Sequence, residues 1–168
     1  MEGFVFLKPR KMKHPQNGMT LEYLEKQSAI AALLVSADGK KGYFVEQFRP
    51  GINGNSIEVI AGLIDEGEID MDALYREVSE EGGYNKEDYD IIYTEKKPLA
   101  ISPGYTEEKL SLYILKLKSG AEQKSLHLDE GEELEGRWLD FDEVLEKSND
   151  FKTFYLVKIY ELLNLKNR

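Results

Sequence analysis

Glu77, Glu80 and Glu81 lie in the stretch Arg-Glu-Val-Ser-Glu-Glu at 76–81. Separations of three and four positions put their carboxylates on one side of a helix, where like charges repel by a few tenths of a kcal/mol per pair. A solvated acidic face is the plain reading of such a stretch. A hard divalent cation reverses the sign of the interaction, because carboxylate oxygens are the ligands that Mg²⁺ and Mn²⁺ prefer. Arg76 flanks the group, and Glu68 precedes it on the entering loop, where its carboxylate can accept from Arg76 and brace loop against helix. Other chemistries are closed off by composition. There is no cysteine, which excludes thiolate catalysis, disulfides and cysteine–zinc sites, and two histidines, His14 and His127, are too few for a multi-histidine metal centre.

The carboxylates need a helix that cannot rotate. Residues 71–82 supply one, with Asp70 as the expected N-cap and Gly82-Gly83 as the stop. On its wheel Met71, Leu74, Tyr75 and Val78 form an apolar stripe that must face a core, which fixes the glutamates on the neighbouring stripe. A sheet is expected to provide that core. Residues 28–36 form an apolar run ending in the turn 37–42 and read as a buried strand, with 43–48 its hairpin partner. Residues 49–55 read as loop and 56–62 as a further strand, with Gly62 allowing a tight turn at its end. The segment 109–117 alternates polar and apolar residues like a strand with one wet face, 133–141 is another strand candidate, and 141–148 and 152–165 read as helices. Strands mixed with two or three helices point to one layered α/β domain over 1–168 with a mixed sheet.

Gly62, Glu68, Arg76, Glu77, Glu80, Glu81 and Gly83, with apolar Val78 and Tyr84, follow the pattern G-x5-E-x7-R-E-U-x-E-E-x-G-U. This resembles the Nudix box at all seven fixed positions; Tyr84 replaces the more usual aliphatic residue. The resemblance implies the Nudix fold, an α/β/α sandwich with a mixed β-sheet between helices. It assigns metal coordination, by Mg²⁺ or Mn²⁺, chiefly to Glu77 and Glu81 with Glu80 assisting and the Ala61 carbonyl as a further ligand. Arg76 takes the role of orienting the acidic residues.

The flanks resemble the ADP-ribose and nucleotide-sugar branch of that family. By matching position in the run 46–68, Arg49 is expected on the diphosphate or a sugar and Glu58 on the substrate. In 102–109, Ser-Pro-Gly is followed by Glu108, with Tyr105 a candidate for stacking on a base. The intervening stretch around 84–92 reads as a longer loop than is usual in the branch. The acidic segment 126–136 corresponds to a mobile loop that carries a catalytic glutamate, for which Glu130 aligns best and Glu132 is the rival. The implied reaction is metal-dependent hydrolysis of ADP-ribose to AMP and ribose 5-phosphate. Hydrolysis of UDP- or GDP-hexoses or of NADH, and a binding module that does not cut, are the alternatives. The branch often dimerises through an N-terminal arm, so residues 1–27 are expected to form a short arm and the chain a homodimer.

A net charge of −10 disfavours nucleic acid and anionic membranes while permitting a phosphate-bearing small molecule wherever cations are concentrated. No apolar run approaches the roughly 18 residues of a membrane span. The first residues do not read as a secretory signal, which leaves a cytoplasmic location as the expectation.

Overall fold

The computed structural model describes residues 7–127 and 134–166. Along the chain these form β1 (Lys8–Lys13), β2 (Thr20–Glu25), β3 (Ala29–Val35), β4 (Lys41–Arg49), β5 (Gly54–Glu58), β6 (Ile60–Leu63), α1 (Asp70–Glu80), β7 (Tyr89–Thr94), β8 (Leu99–Ala100), β9 (Lys109–Leu117), β10 (Glu135–Asp140), α2 (Phe141–Lys147) and α3 (Phe151–Lys166). Eight strands make one mixed sheet with the path β10-β4-β3-β9-β7, while β1 and β2 form a separate two-stranded sheet, tied to the rest by a bridge from Leu24 to Thr106.

β3 is the axis. Every residue of Ala-Ile-Ala-Ala-Leu-Leu-Val is buried, as expected of a strand covered on both faces. Ala29, Ala31, Leu33 and Val35 pack toward Leu156, Val157 and Tyr160 of α3 and Val144 of α2. Ile30, Ala32 and Leu34 face the opposite way, into a cluster with Ala73, Leu74 and Val78 of α1. Period-two alternation thus sorts the helices onto the two faces, and the α/β/α sandwich with its mixed sheet is observed.

The parallel partner of β3 is β9, which β7 and β8 flank on its other edge. The wet face expected for 109–117 is absent: six consecutive residues from Leu110 to Leu115 are buried. Its polar Ser111 is accommodated by donating to the Asp70 carboxylate. That contact also revises the helix start, since α1 begins at Asp70 itself with Ile69 as N-cap and no side-chain cap. The stop is where expected, with Gly83 in the left-handed region at φ 73°.

Three further corrections bear on the site. The strand expected over 56–62 is two strands, because β5 pairs with β4 and β6 with β3. The chain changes partner at Val59, whose amide leaves the sheet and donates to the Thr153 hydroxyl (2.8 Å). The loop expected around 84–92 contains the first residues of β7. Gly62 is not a turn residue: it lies in β6 opposite Ile30 and has no positive φ.

Candidate active site

β4 pairs with β3 only at Leu34–Tyr43 and Val35–Gly42, and farther along that edge β6 takes its place. A cleft opens where β4 has departed. One part, of about 310 Å³, is bounded by Arg49, Ala61, Gly62, Arg76, Glu77 and Glu80. The other, of about 490 Å³, shares Arg49, Ala61 and Gly62 and extends past Glu58 and Glu108 to Lys152.

α1 delivers the carboxylates. Leu74 and Val78 are fully buried, which pins the helix and sets Glu77 (8% exposed) and Glu81 (2% exposed) against β6. Glu81 Oε2 accepts the Ala61 amide at 3.1 Å. A Cβ placed on Gly62 would lie 1.7 Å from Glu77 Oε1, so the carboxylate occupies the space that a side chain at 62 would fill. Arg76 grips Glu68 with two bonds, Nε to Oε1 (3.0 Å) and Nη2 to Oε2 (2.9 Å), and Nη2 also donates to the Leu63 carbonyl (2.9 Å). Its Nη1 reaches both Glu77 and Glu80. The Glu68 bond, and then Glu77, push the Arg76 pKa still higher, and Arg76 in turn lowers that of Glu68.

Among the described residues no three carboxylates or histidines already converge on a metal position. Arg76 Nη1 sits between Glu77 and Glu80 instead. The donor set nevertheless fits a hard divalent ion, because all three glutamates bring anionic oxygen and Gly62 leaves Glu77 room beside the strand.

Across the cleft, Arg49 donates to Glu58 bidentately, Nε to Oε1 (2.8 Å) and Nη2 to Oε2 (2.7 Å). Lys152 donates to the same Glu58 Oε2 and to Asp150 Oδ1 (2.9 Å). Glu108 accepts from Lys26 (2.7 Å). Tyr105 is 57% exposed and lines neither part of the cleft, so the structure does not bring it to the other residues. Glu130 and Glu132 lie outside the described residues. The chain leading to them runs along the end of α1, where the Lys124 backbone amide donates to the Gly83 carbonyl (2.8 Å) and the His127 backbone amide to that of Glu80 (3.1 Å).

Lys26, Asp150 and Lys152 are absent from the site as read from sequence. The carboxylates that Lys26 and Lys152 reach, Glu108 and Glu58, lie far along the chain, and only the Ser-Asn-Asp run at 148–150, typical of a helix start, marks the segment of Asp150.

Glu58 sets a pH dependence. Burial alone would raise its pKa, but the bonds and charges of Arg49 and Lys152 outweigh burial and hold the carboxyl at about 2. The folded value lies below the ordinary one near 4.5, so the stabilisation is complete above that pH and is lost as the pH falls toward 2. In acid titrations followed by circular dichroism, wild type is expected to lose a few kcal/mol more than Glu58→Gln between about pH 5 and pH 2. Equal losses would show that Glu58 is not the titrating group.

Comparison with known proteins places the chain in a family. A family profile described as the NUDIX domain matches residues 25–158. The methanol dehydrogenase activator of Bacillus methanolicus is 30% identical over 153 residues, covering 87% of this chain and 80% of that protein. The ADP-ribose pyrophosphatase of Bacillus subtilis is 28% identical over 146 residues, covering 84% of this chain and 76% of its own. A crystal structure of an ADP compounds hydrolase superposes with a TM-score of 0.75 at 20% identity, over 100% of this chain and 92% of that one, a likeness of fold. On the strength of the profile, which spans most of the sequence, the chain belongs to the NUDIX family.

Proposed function

We propose that the chain is a pyrophosphohydrolase that cleaves the diphosphate bond of ADP-ribose, giving AMP and ribose 5-phosphate. The observation carrying this reading is the joining of two unlike subsites at Arg49, Ala61 and Gly62. The acidic face of α1 lies on one side, and on the other a larger cavity lined by Arg49, Lys152 and Lys26 with the carboxylates they hold, Glu58, Asp150 and Glu108. Both volumes fall within the roughly 300–1,000 Å³ usual for small-molecule sites. The names of the Bacillus subtilis relative and of the structural neighbour support the ADP-containing substrate class.

Glu77, Glu80 and Glu81, with the Ala61 carbonyl, would hold Mg²⁺ or Mn²⁺. Such an ion supplies charge neutralisation of the diphosphate and a bound water of lowered pKa. Arg49 presents a planar guanidinium to the phosphate oxygens, a geometry suited to two simultaneous bonds. Arg76, anchored by Glu68 and the Leu63 carbonyl, keeps Glu77 and Glu80 turned to the cleft. Glu130, or Glu132, would take the proton of the attacking water as general base. Glu58 and Glu108 would act on the substrate through the cations they hold, Arg49 and Lys26.

A product assay with ADP-ribose, NADH, UDP-glucose and GDP-mannose tests the reading. ADP-ribose is expected to give AMP and ribose 5-phosphate with the highest kcat/KM, activity vanishing in EDTA and returning with Mg²⁺ or Mn²⁺. A higher kcat/KM on a hexose derivative would reassign the substrate. Binding of ADP-ribose without product from any substrate would make the chain a binding module. The homodimer belongs to the same proposal: β1 and β2 form a separate two-stranded sheet, and all six residues of β1 are exposed. β2 is tied down at Leu24, bridged to Thr106, and β1 on its other side presents an open strand edge of the kind that pairs with another chain. Sedimentation of the full chain at the mass of a monomer would remove this part.

A further inference from the structure

The junction between α2 and α3 grips the point where β5 gives way to β6. Ser148 Oγ donates to the Ile57 carbonyl (2.6 Å), Lys152 donates to Glu58, and the Thr153 hydroxyl accepts the Val59 amide (2.8 Å). Three successive residues of the sheet are therefore held from one short segment, 148–153. Asp150 fixes that segment: Oδ1 accepts Lys152, while Oδ2 accepts the Thr153 amide and hydroxyl in the first turn of α3.

Glu58 stands between two cations that differ in access. The Lys152 side chain is 13% exposed and the Arg49 side chain 42%, against 3% for Glu58. Both line the cleft, but Arg49 is the more exposed, while Lys152 is also tied to Asp150 at the first turn of α3. A buried carboxylate left without any cation is strongly disfavoured, so Arg49 alone would be held on Glu58. With Lys152 in place the carboxylate keeps a partner when the guanidinium departs.

We propose that Lys152 is a positioning residue that retains Glu58 so that Arg49 can exchange its carboxylate partner for a phosphate oxygen of the substrate. This rests on the reading of the cleft as a nucleoside diphosphate site and adds the group that makes its arginine available. Lys152 does not touch the substrate in this scheme; it acts through Glu58.

The test combines ADP binding by calorimetry, with no turnover required, and steady-state kinetics on ADP-ribose. The proteins are wild type, Lys152→Met, Lys152→Arg, Glu58→Gln and the double variant, each checked for folding by circular dichroism. Lys152→Met is expected to raise the Kd for ADP and the KM by about tenfold or more. It should leave kcat within about threefold, and Lys152→Arg should restore both affinities. In the Glu58→Gln background the same lysine substitution should change the Kd by less than about twofold, because no buried charge remains to be retained. An unchanged Kd in folded Lys152→Met overturns the proposal, as does a loss equally large in the Glu58→Gln background, which would mean that the lysine binds phosphate itself. Wild type that binds ADP but cleaves no nucleoside diphosphate sugar would sink the substrate reading and leave Lys152 to be judged on ADP affinity. If wild type binds no ADP, both fall.

Discussion

Changing Glu81 to glutamine is expected to lower kcat on ADP-ribose by about 10²–10³-fold at saturating Mn²⁺, the equivalent of losing several kcal/mol of transition-state charge stabilisation. The substitution keeps shape and removes charge. Glu81 is 2% exposed and already accepts the Ala61 amide, so a glutamine oxygen can keep that bond. Its NH₂ then stands where an anionic oxygen stood, and a metal ion held there would lose a ligand, since a donor cannot coordinate it. The melting temperature should move by only a few degrees, because the packing of Leu74 and Val78 that fixes α1 is untouched. Mn²⁺ binding, measured by electron paramagnetic resonance, should weaken in parallel. Undiminished turnover would overturn the metal-hydrolase assignment.

A second substitution reaches the same site from the opposite side. Gly62→Ala should reduce kcat by about 10²-fold while barely altering stability. The new Cβ would fall 1.7 Å from Glu77 Oε1 and 1.9 Å from its carboxyl carbon. What stands in the way is the far end of a flexible side chain held by Arg76, so the backbone of β6 can accept alanine once that end moves, and the φ of Gly62 is not in the left-handed region. Glu77 must swing out, giving up its place beside Arg76 Nη1 and its aim into the cleft. A thermal melt and an activity assay on one preparation read the two effects apart. A large fall in melting temperature with activity preserved per folded molecule would show that Gly62 serves the fold and not the carboxylate.

How much of this was legible in the sequence follows from the reach of each contact. Glu77, Glu80 and Glu81 share a face because of helical periodicity, and Glu68 lies eight positions from the arginine that holds it, so local spacing exposes the group. β3 was legible because an unbroken apolar run is its own signature. Lys152 was not, since its partner Glu58 is 94 positions away, nor was Lys26, 82 positions from Glu108. β9 was misjudged for a related reason: Ser111 looks like a wet-face residue until Asp70 is found opposite it. The β1–β2 hairpin escaped notice because Lys-Pro-Arg-Lys-Met-Lys has no apolar alternation to read.

The exit of the Val59 amide from the sheet divides the cleft by ancestry of parts. On one side of that residue Arg49 and Glu58 answer to the 148–153 segment; on the other, Ala61 and Gly62 answer to α1. The two groups of side chains meet at one cleft from opposite layers of the sandwich. Substitutions in the six-residue junction 148–153 are therefore expected to alter the Arg49–Glu58 side of the cleft while leaving the carboxylates of α1 in place.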